Sequence, residues 1–298
     1  MSRSLLAFNT TNRHFILTLF LSHLVWGCVV IGLWAFGQLL PMRPGWSLLF
    51  IGLQFYTASQ LILAALRLQP EVRSRGFYLI WGLIMITGVW LINRIAPEGG
   101  WLLPVAVSRS AVLLLVGTFI GAALARFIKQ LWQLVPVCLV MVAADFFSWL
   151  KGPTAGFASE IAQYYRTFEG PPPLVDMLLV KMAVPGQVQL LPVFGLSDWI
   201  MVVFFAIVAR HHQINDNLLG RAGEVLARRG QIGGYLPVAA AALFLAVILA
   251  QSTGQFLPAL PVIALMMLLW YGVRSMRQRM QSVNRFEDRS NGQERGQK

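Results

Sequence analysis

Residues 131–150 read LWQLVPVCLVMVAADFFSWL, an apolar run interrupted by one charge, Asp145. A helix of about 20 such residues spans the roughly 30 Å of a bilayer's hydrocarbon core. Similar blocks recur at about 15–40, 46–66, 77–93, 103–125, 191–209, 235–251 and 256–272. The pattern predicts an all-α, polytopic transmembrane helix bundle of about eight spans. Composition agrees: 57% of the 298 residues are hydrophobic and 12% charged, against about 45–50% and about 25% in soluble domains. With mean hydropathy +0.64, polar side chains are too few to cover a water-facing surface, which excludes an ordinary soluble enzyme.

The net charge of +12 needs no nucleic acid to explain it. Eight spans place both termini on one side, and that side collects 18 of the 24 basic residues. They are Arg3 and Arg13, Arg67, Arg73 and Arg75, Arg126 and Lys129, Arg210, Arg221, Arg228 and Arg229, and seven from Arg274 onward. Arg43, Arg94, Lys151, Arg166 and Lys181 lie opposite. The asymmetry predicts cytoplasmic termini, and a multi-pass protein of the inner or plasma membrane of a prokaryote. Trp46, Tyr78, Trp101, Trp132, Trp149, Tyr235 and Tyr271 fall near span ends, as interface anchors do. The first span reads as a membrane helix rather than a cleaved signal, its apolar run being too long. Cys28 and Cys138 lie inside apolar blocks and read as small buried hydrophobes, not a disulfide. No Cys/His spacing suggests a metal site.

The longest loop, about 151–190, is expected outside. It carries Pro171, Pro172 and Pro173, then a mixed stretch from Leu174 to Val184 that reads as an amphipathic interfacial helix. The tail 273–298 is basic and polar, a disordered anchor for lipid headgroups.

Three charges fall well inside spans: Arg109, Asp145 and Asp198. Arg109 is near an outer end and reads as a snorkelling structural residue; His23 reads as a hydrogen-bonded packing residue. Asp145 sits about 8 Å, and Asp198 about 11 Å, below the outer ends of consecutive antiparallel spans. An intramembrane carboxyl is a functional hypothesis by default. Two that meet in a low dielectric share one proton, so one acts as base towards water and the other as acid towards a carbonyl. That is aspartyl proteolysis, which requires no metal, cofactor or covalent nucleophile. The same pair also suits an interhelical hydrogen bond or a proton- or ion-coupled transporter.

The neighbouring residues favour the first reading. Gly195, Leu196 and Ser197 precede Asp198, and the small ones let another backbone approach. Pro258, Ala259, Leu260 and Pro261 open the last span, where two prolines distort the first helical turn at the depth of the aspartates. Irregular backbone there requires a buried or cavity-lining position, and its edges suit strand addition by an extended peptide.

These features together resemble the presenilin and signal peptide peptidase family of intramembrane aspartyl proteases. That family has one aspartate in a helix, a second in a Gly-x-Gly-Asp motif in the next, and Pro-Ala-Leu in the last. The matching residues are Asp145; Gly195, Leu196, Ser197 and Asp198; and Pro258, Ala259 and Leu260. The run from Asp145 to Pro153, ending Lys-Gly-Pro, is similar too, with Lys151 to Pro153 expected to end the helix. The resemblance covers about 131–272. It implies catalysis by Asp145 and Asp198, with Gly195, Leu196, Ser197, Pro258, Ala259 and Leu260 binding transmembrane protein or peptide substrates. With the span and charge pattern this divides the chain into an N-terminal four-helix membrane region (1–130), a catalytic membrane core (131–272) with the external loop 151–190, and a basic cytoplasmic tail (273–298). Ala144 stands where the family has tyrosine, Ser197 where it has glycine, and eight spans where it has nine, with 174–190 as the candidate ninth. A catalytically inactive presenilin-like scaffold therefore remains as an alternative. Cytoplasmic termini match the signal peptide peptidase orientation and imply substrates of type II-like orientation.

Overall fold

The computed structural model describes residues 3–66, 75–94, 102–167, 172–229, 231–253, 258–274 and 276. Arg67, Arg73, Trp101, Pro171, Leu257 and the basic tail beyond Met276 lie outside the described residues. The chain is mostly helical. Helices α1 (Arg3–Gly37), α2 (Pro44–Leu66), α3 (Arg75–Arg94) and α4 (Leu102–Ala125) come first. A short 3-10 turn, Leu131–Gln133, leads into α5 (Leu134–Lys151) and then α6 (Pro153–Thr167). A second 3-10 turn, Leu174–Leu178, enters a hairpin of β1 (Leu179–Met182) and β2 (Leu191–Gly195). The helices α7 (Leu196–His211), α8 (Gly220–Arg228) and α9 (Val238–Thr253) follow, and α10 (Ala259–Arg274) ends the described bundle.

Four stretches are long and apolar enough to cross a membrane: Leu17–Gly37, Pro44–Ala64, Leu102–Ala125 and Leu131–Lys151. The apolar helices over Leu79–Ile92, Val238–Thr253 and Ala259–Arg274 are shorter, and α7 has 16 residues. A membrane helix bundle fits these lengths; a count of eight spans exceeds what length alone carries.

Four expectations need correction. The fold is not purely helical, because 179–182 and 191–195 form an antiparallel pair with a bulge between Val180 and Lys181. The sixth apolar block therefore becomes helical only at Leu196: Pro192 has no amide for a helical ladder, and 191–194 pairs with β1 instead. The expected interfacial helix over 174–184 is helical only as the turn Leu174–Leu178, since Val180 and Met182 are fully buried on strand β1. Tyr235 and Tyr271 are not interface anchors but buried hydrogen-bond donors, to Asp216 Oδ2 at 2.9 Å and the Phe205 carbonyl at 2.8 Å. Cys138 is buried as expected, but Cys28 is exposed.

One hydrophobic core draws on α1, α2, α4, α7, α9, α10 and the hairpin. At its centre α4 lies against α7. Gly117 and Gly121, spaced as in Gly-x-x-x-Gly seams, permit the approach: a Cβ at Gly121 would lie 2.6 Å from the Ile200 carbonyl oxygen, and one at Gly117 2.9 Å from Trp199 Cδ1. Trp199, fully buried, donates Nε1–H to both the Leu114 carbonyl and Thr118 Oγ1 at 3.1 Å. His23 is buried and bonded through Nδ1 to the Leu19 carbonyl at 2.8 Å, the packing role expected of it.

Candidate active site

Asp198 is the third residue of α7, a position from which a carboxylate reaches back to the amide before the helix. Its Oδ2 accepts the Gly195 N–H at 2.9 Å, and the negative group sits at the helix's positive end. Gly195 has φ −84° and ψ 160°, open to any residue, so glycine is not demanded by the backbone. A Cβ there would rest 3.4 Å from Asp198 Oδ2; glycine keeps that space open beside the carboxyl. Ser197 is exposed, and among the described residues its hydroxyl makes no bond to Asp198. Leu196 is half-buried and packs against the core, extending the α4–α7 seam.

Asp145 approaches from α5. Its Oδ2 accepts the Leu260 N–H at 3.1 Å. Pro258 and Ala259 lead into α10, and Leu260 supplies one of the first-turn amides that no helical carbonyl can satisfy. Pro261 fits that turn because its missing N–H is an orphan position anyway. Asp145 thus caps α10 from a neighbouring helix, while Asp198 caps its own. Both carboxyls are half-buried. Among the described residues each uses one oxygen this way and neither Oδ1 has a partner. Asp145 lies within electrostatic reach of Asp198. The structure therefore brings Asp145, Gly195, Asp198 and Leu260 together, with Pro258 and Ala259 half-buried at the entrance to α10.

Gly152 ends α5 as expected of the Lys-Gly-Pro run. Its N–H bonds the Ser148 carbonyl at 3.1 Å, and an added Cβ would lie 2.6 Å from Ser148 Cα. Pro153 then starts α6. Ala144, where a tyrosine is expected from the resemblance, is exposed.

The hairpin delivers Asp198. Along β1 the Lys181 N–H is taken by Ser110 Oγ at 3.0 Å, and just beyond it the Ala183 N–H by Gln54 Oε1 at 2.9 Å. That side is closed by α4 and α2, so β2, with Leu191 to Val193 half-exposed, is the edge strand.

Two fully buried acids escaped sequence reading because they lie outside the apolar spans. Asp176 is fully buried, with Oδ2 accepting from Lys181 Nζ at 2.6 Å and Oδ1 from the Tyr165 hydroxyl at 2.8 Å. Burial pushes the Tyr165 phenol up, the Asp176 charge adding to it. Burial pulls the Lys181 ammonium down against the attraction of Asp176. Asp216, also buried, follows α7; burial pushes its carboxyl up to about 7, opposed by the Tyr235 hydrogen bond and the Arg210 charge. Arg210 in turn pairs with Glu224 of α8. Arg210, Gln213, Ile214 and Glu224 line a cleft of about 340 Å³ at the end of α7 opposite Asp198. The only signal for Asp176 was Lys181 five residues on; Asp216 had none beyond the polar triplet Asn215 to Asn217. Among the described residues no three His, Cys, Asp or Glu side chains are grouped as metal ligands.

Comparison with known proteins gives no matching family model, no matching curated protein and no matching solved structure.

Proposed function

We propose that this chain is an intramembrane aspartyl endopeptidase of the presenilin and signal peptide peptidase type. The observation that carries this reading is the Leu260 N–H to Asp145 Oδ2 bond, which joins the last-helix Pro-Ala-Leu turn to a carboxyl within electrostatic reach of Asp198. A contact between two motifs distant in sequence supports this reading. The unpartnered Oδ1 atoms leave each carboxyl one oxygen for chemistry.

In this mechanism the two carboxyls share one proton. The ionised one takes a proton from water as the oxygen attacks the scissile carbonyl, and the protonated one gives its proton to the carbonyl oxygen. The tetrahedral diol then collapses: the C–N bond breaks, the nitrogen leaves as an amine carrying a proton from one carboxyl, and the new acid stays with the other fragment. The pair titrates as a unit, so the roles belong to the dyad. An extended substrate adding to the β2 edge runs towards Gly195 and hence past Asp198. The charge asymmetry of the loops supports cytoplasmic termini and substrates of type II-like orientation.

The test incubates purified protein with a panel of single-span substrates, with and without an aspartyl transition-state inhibitor. Inhibitable cleavage that disappears in Asp145→Asn and in Asp198→Asn is the expected result. Cleavage surviving both changes overturns the proposal. Absence of both cleavage and inhibitor binding also overturns it and points to a transporter or an inactive scaffold. A reporter fused after Lys298 that is active only outside the cytoplasm reverses the orientation.

A further inference from the structure

Arg109 lies seven residues into α4, about 10 Å along the helix axis. Its neighbour Ser110 is buried and holds the Lys181 amide of β1, so the hairpin lies at the same depth. Among the described residues the charges there do not balance: Asp176 is the acid of the cluster, and both its oxygens are taken, by Lys181 and Tyr165. Lys181 Nζ also stands 5.5 Å from the centre of the Tyr165 ring. Arg109 is close enough for its charge to reach both Tyr165 and Lys181, yet it makes no hydrogen bond or ion pair with any described residue. Its Nε is shut away from solvent without an acceptor.

Two cations facing one fully used carboxylate leave an excess of one positive charge. A buried guanidinium donor without an acceptor is costly, and a positive neighbour such as Lys181 adds to that cost. The residue as a whole is only half-buried, so an anion can reach it from outside the protein. A guanidinium presents donors in a planar fork that matches two phosphate oxygens. At the end of a membrane-spanning helix, the phosphates within reach of an arginine are those of lipid headgroups.

We infer that Arg109, with Lys181 behind it, forms a binding site for the phosphate of an acidic phospholipid at the junction of α4 and β1. The net charge of the cluster selects a lipid of net charge −1. Phosphatidylcholine carries its own cation and gains nothing from the excess charge. The site does not depend on the peptidase reading, since it rests on Arg109 and the charges around it alone.

Native mass spectrometry of protein released from bilayers of equal phosphatidylglycerol and phosphatidylcholine reads this directly. Wild type should retain the acidic lipid at least tenfold over the zwitterionic one. Arg109→Gln should bring the ratio near one, and Arg109→Lys should keep an intermediate preference. Thermal unfolding in detergent gives the second arm: phosphatidylglycerol should raise Tm of the wild type and not of Arg109→Gln. Inorganic phosphate producing the same rise at low millimolar concentration assigns the site to a free anion and overturns the lipid assignment. Equal retention of the two lipids by wild type overturns the site altogether, whether or not the glutamine variant folds.

Discussion

The two aspartates are carried by helices of opposite character. In α4, against which Asp198's helix packs, 50% of the span is buried within the protein; in the span of α5, which carries Asp145, only 11% is. Trp199, one residue after Asp198, is locked by two hydrogen bonds and full burial, and the far end of α7 is tied through Arg210 to Glu224. Around Asp145, by contrast, Phe146 and Phe147 are exposed, as are Leu139 and Val140 one turn earlier. Cys138 and Leu134 are the buried residues of that helix. One carboxyl is therefore built into the core, while the other stands on a peripheral helix and is held at the site by the Leu260 amide. In the proposed peptidase this arrangement would keep one wall of the dyad fixed and leave the other side open towards the lipid, the side from which a transmembrane substrate would enter.

Several measurements break or sharpen that contrast. Trp199→Ala should cost about 3–5 kcal/mol of stability, read by thermal or denaturant unfolding in detergent, because it empties the α4–α7 seam and removes two hydrogen bonds. Leu260→Pro removes the amide that holds Asp145 while keeping both carboxyls. In an assay of the proposed cleavage it should lower activity by the equivalent of about 1.5–3 kcal/mol, the worth of a hydrogen bond to a charged group, and Leu260→Ala, which keeps the amide, should lose less. Gly121→Ala forces a methyl towards the Ile200 carbonyl and should cost about 1–3 kcal/mol. The same unfolding assay should find Leu139→Ala, on the exposed face of α5, within about 0.5 kcal/mol of wild type. A large loss there, or none at Gly121, reverses the assignment of fixed and peripheral sides.

The far anchor of α7 gives a pH signature. Asp216 holds its proton up to about 7 in the folded protein and to about 4 when unfolded. Between these values the folded state binds more protons, so this contribution is complete below about pH 4 and fades as pH rises through about 7. Tm should therefore fall with rising pH over that window, and Asp216→Asn should flatten the slope. An unchanged slope in the variant removes Asp216 as its source.

Much of the helical layout was legible from local pattern. The apolar blocks at 46–66, 103–125 and 131–150 match α2, α4 and α5 within a few residues, because length and hydropathy are properties of a contiguous stretch. Pro258 and Gly152 likewise mark helix ends through their own backbone chemistry. The hairpin was not legible: Leu191 to Phe194 is as apolar as a helix start, and only its pairing with 179–182 makes it a strand. Tyr235 and Tyr271 carry the composition of interface residues, and nothing nearby in sequence reveals Asp216 or the Phe205 carbonyl as their partners.

By itself the sequence determined that this is a chain for a membrane, where its apolar segments lie, and that two carboxyls and a Pro-Ala-Leu turn occupy them. Those are local quantities, set by side-chain transfer energies and backbone restrictions. The tertiary structure alone decided that Asp145 caps α10 through Leu260, that β2 leads into Asp198, and that Arg109 Nε has no acceptor among the described residues. Each depends on which groups from distant segments satisfy one another once water is excluded, and no stretch of sequence contains both partners.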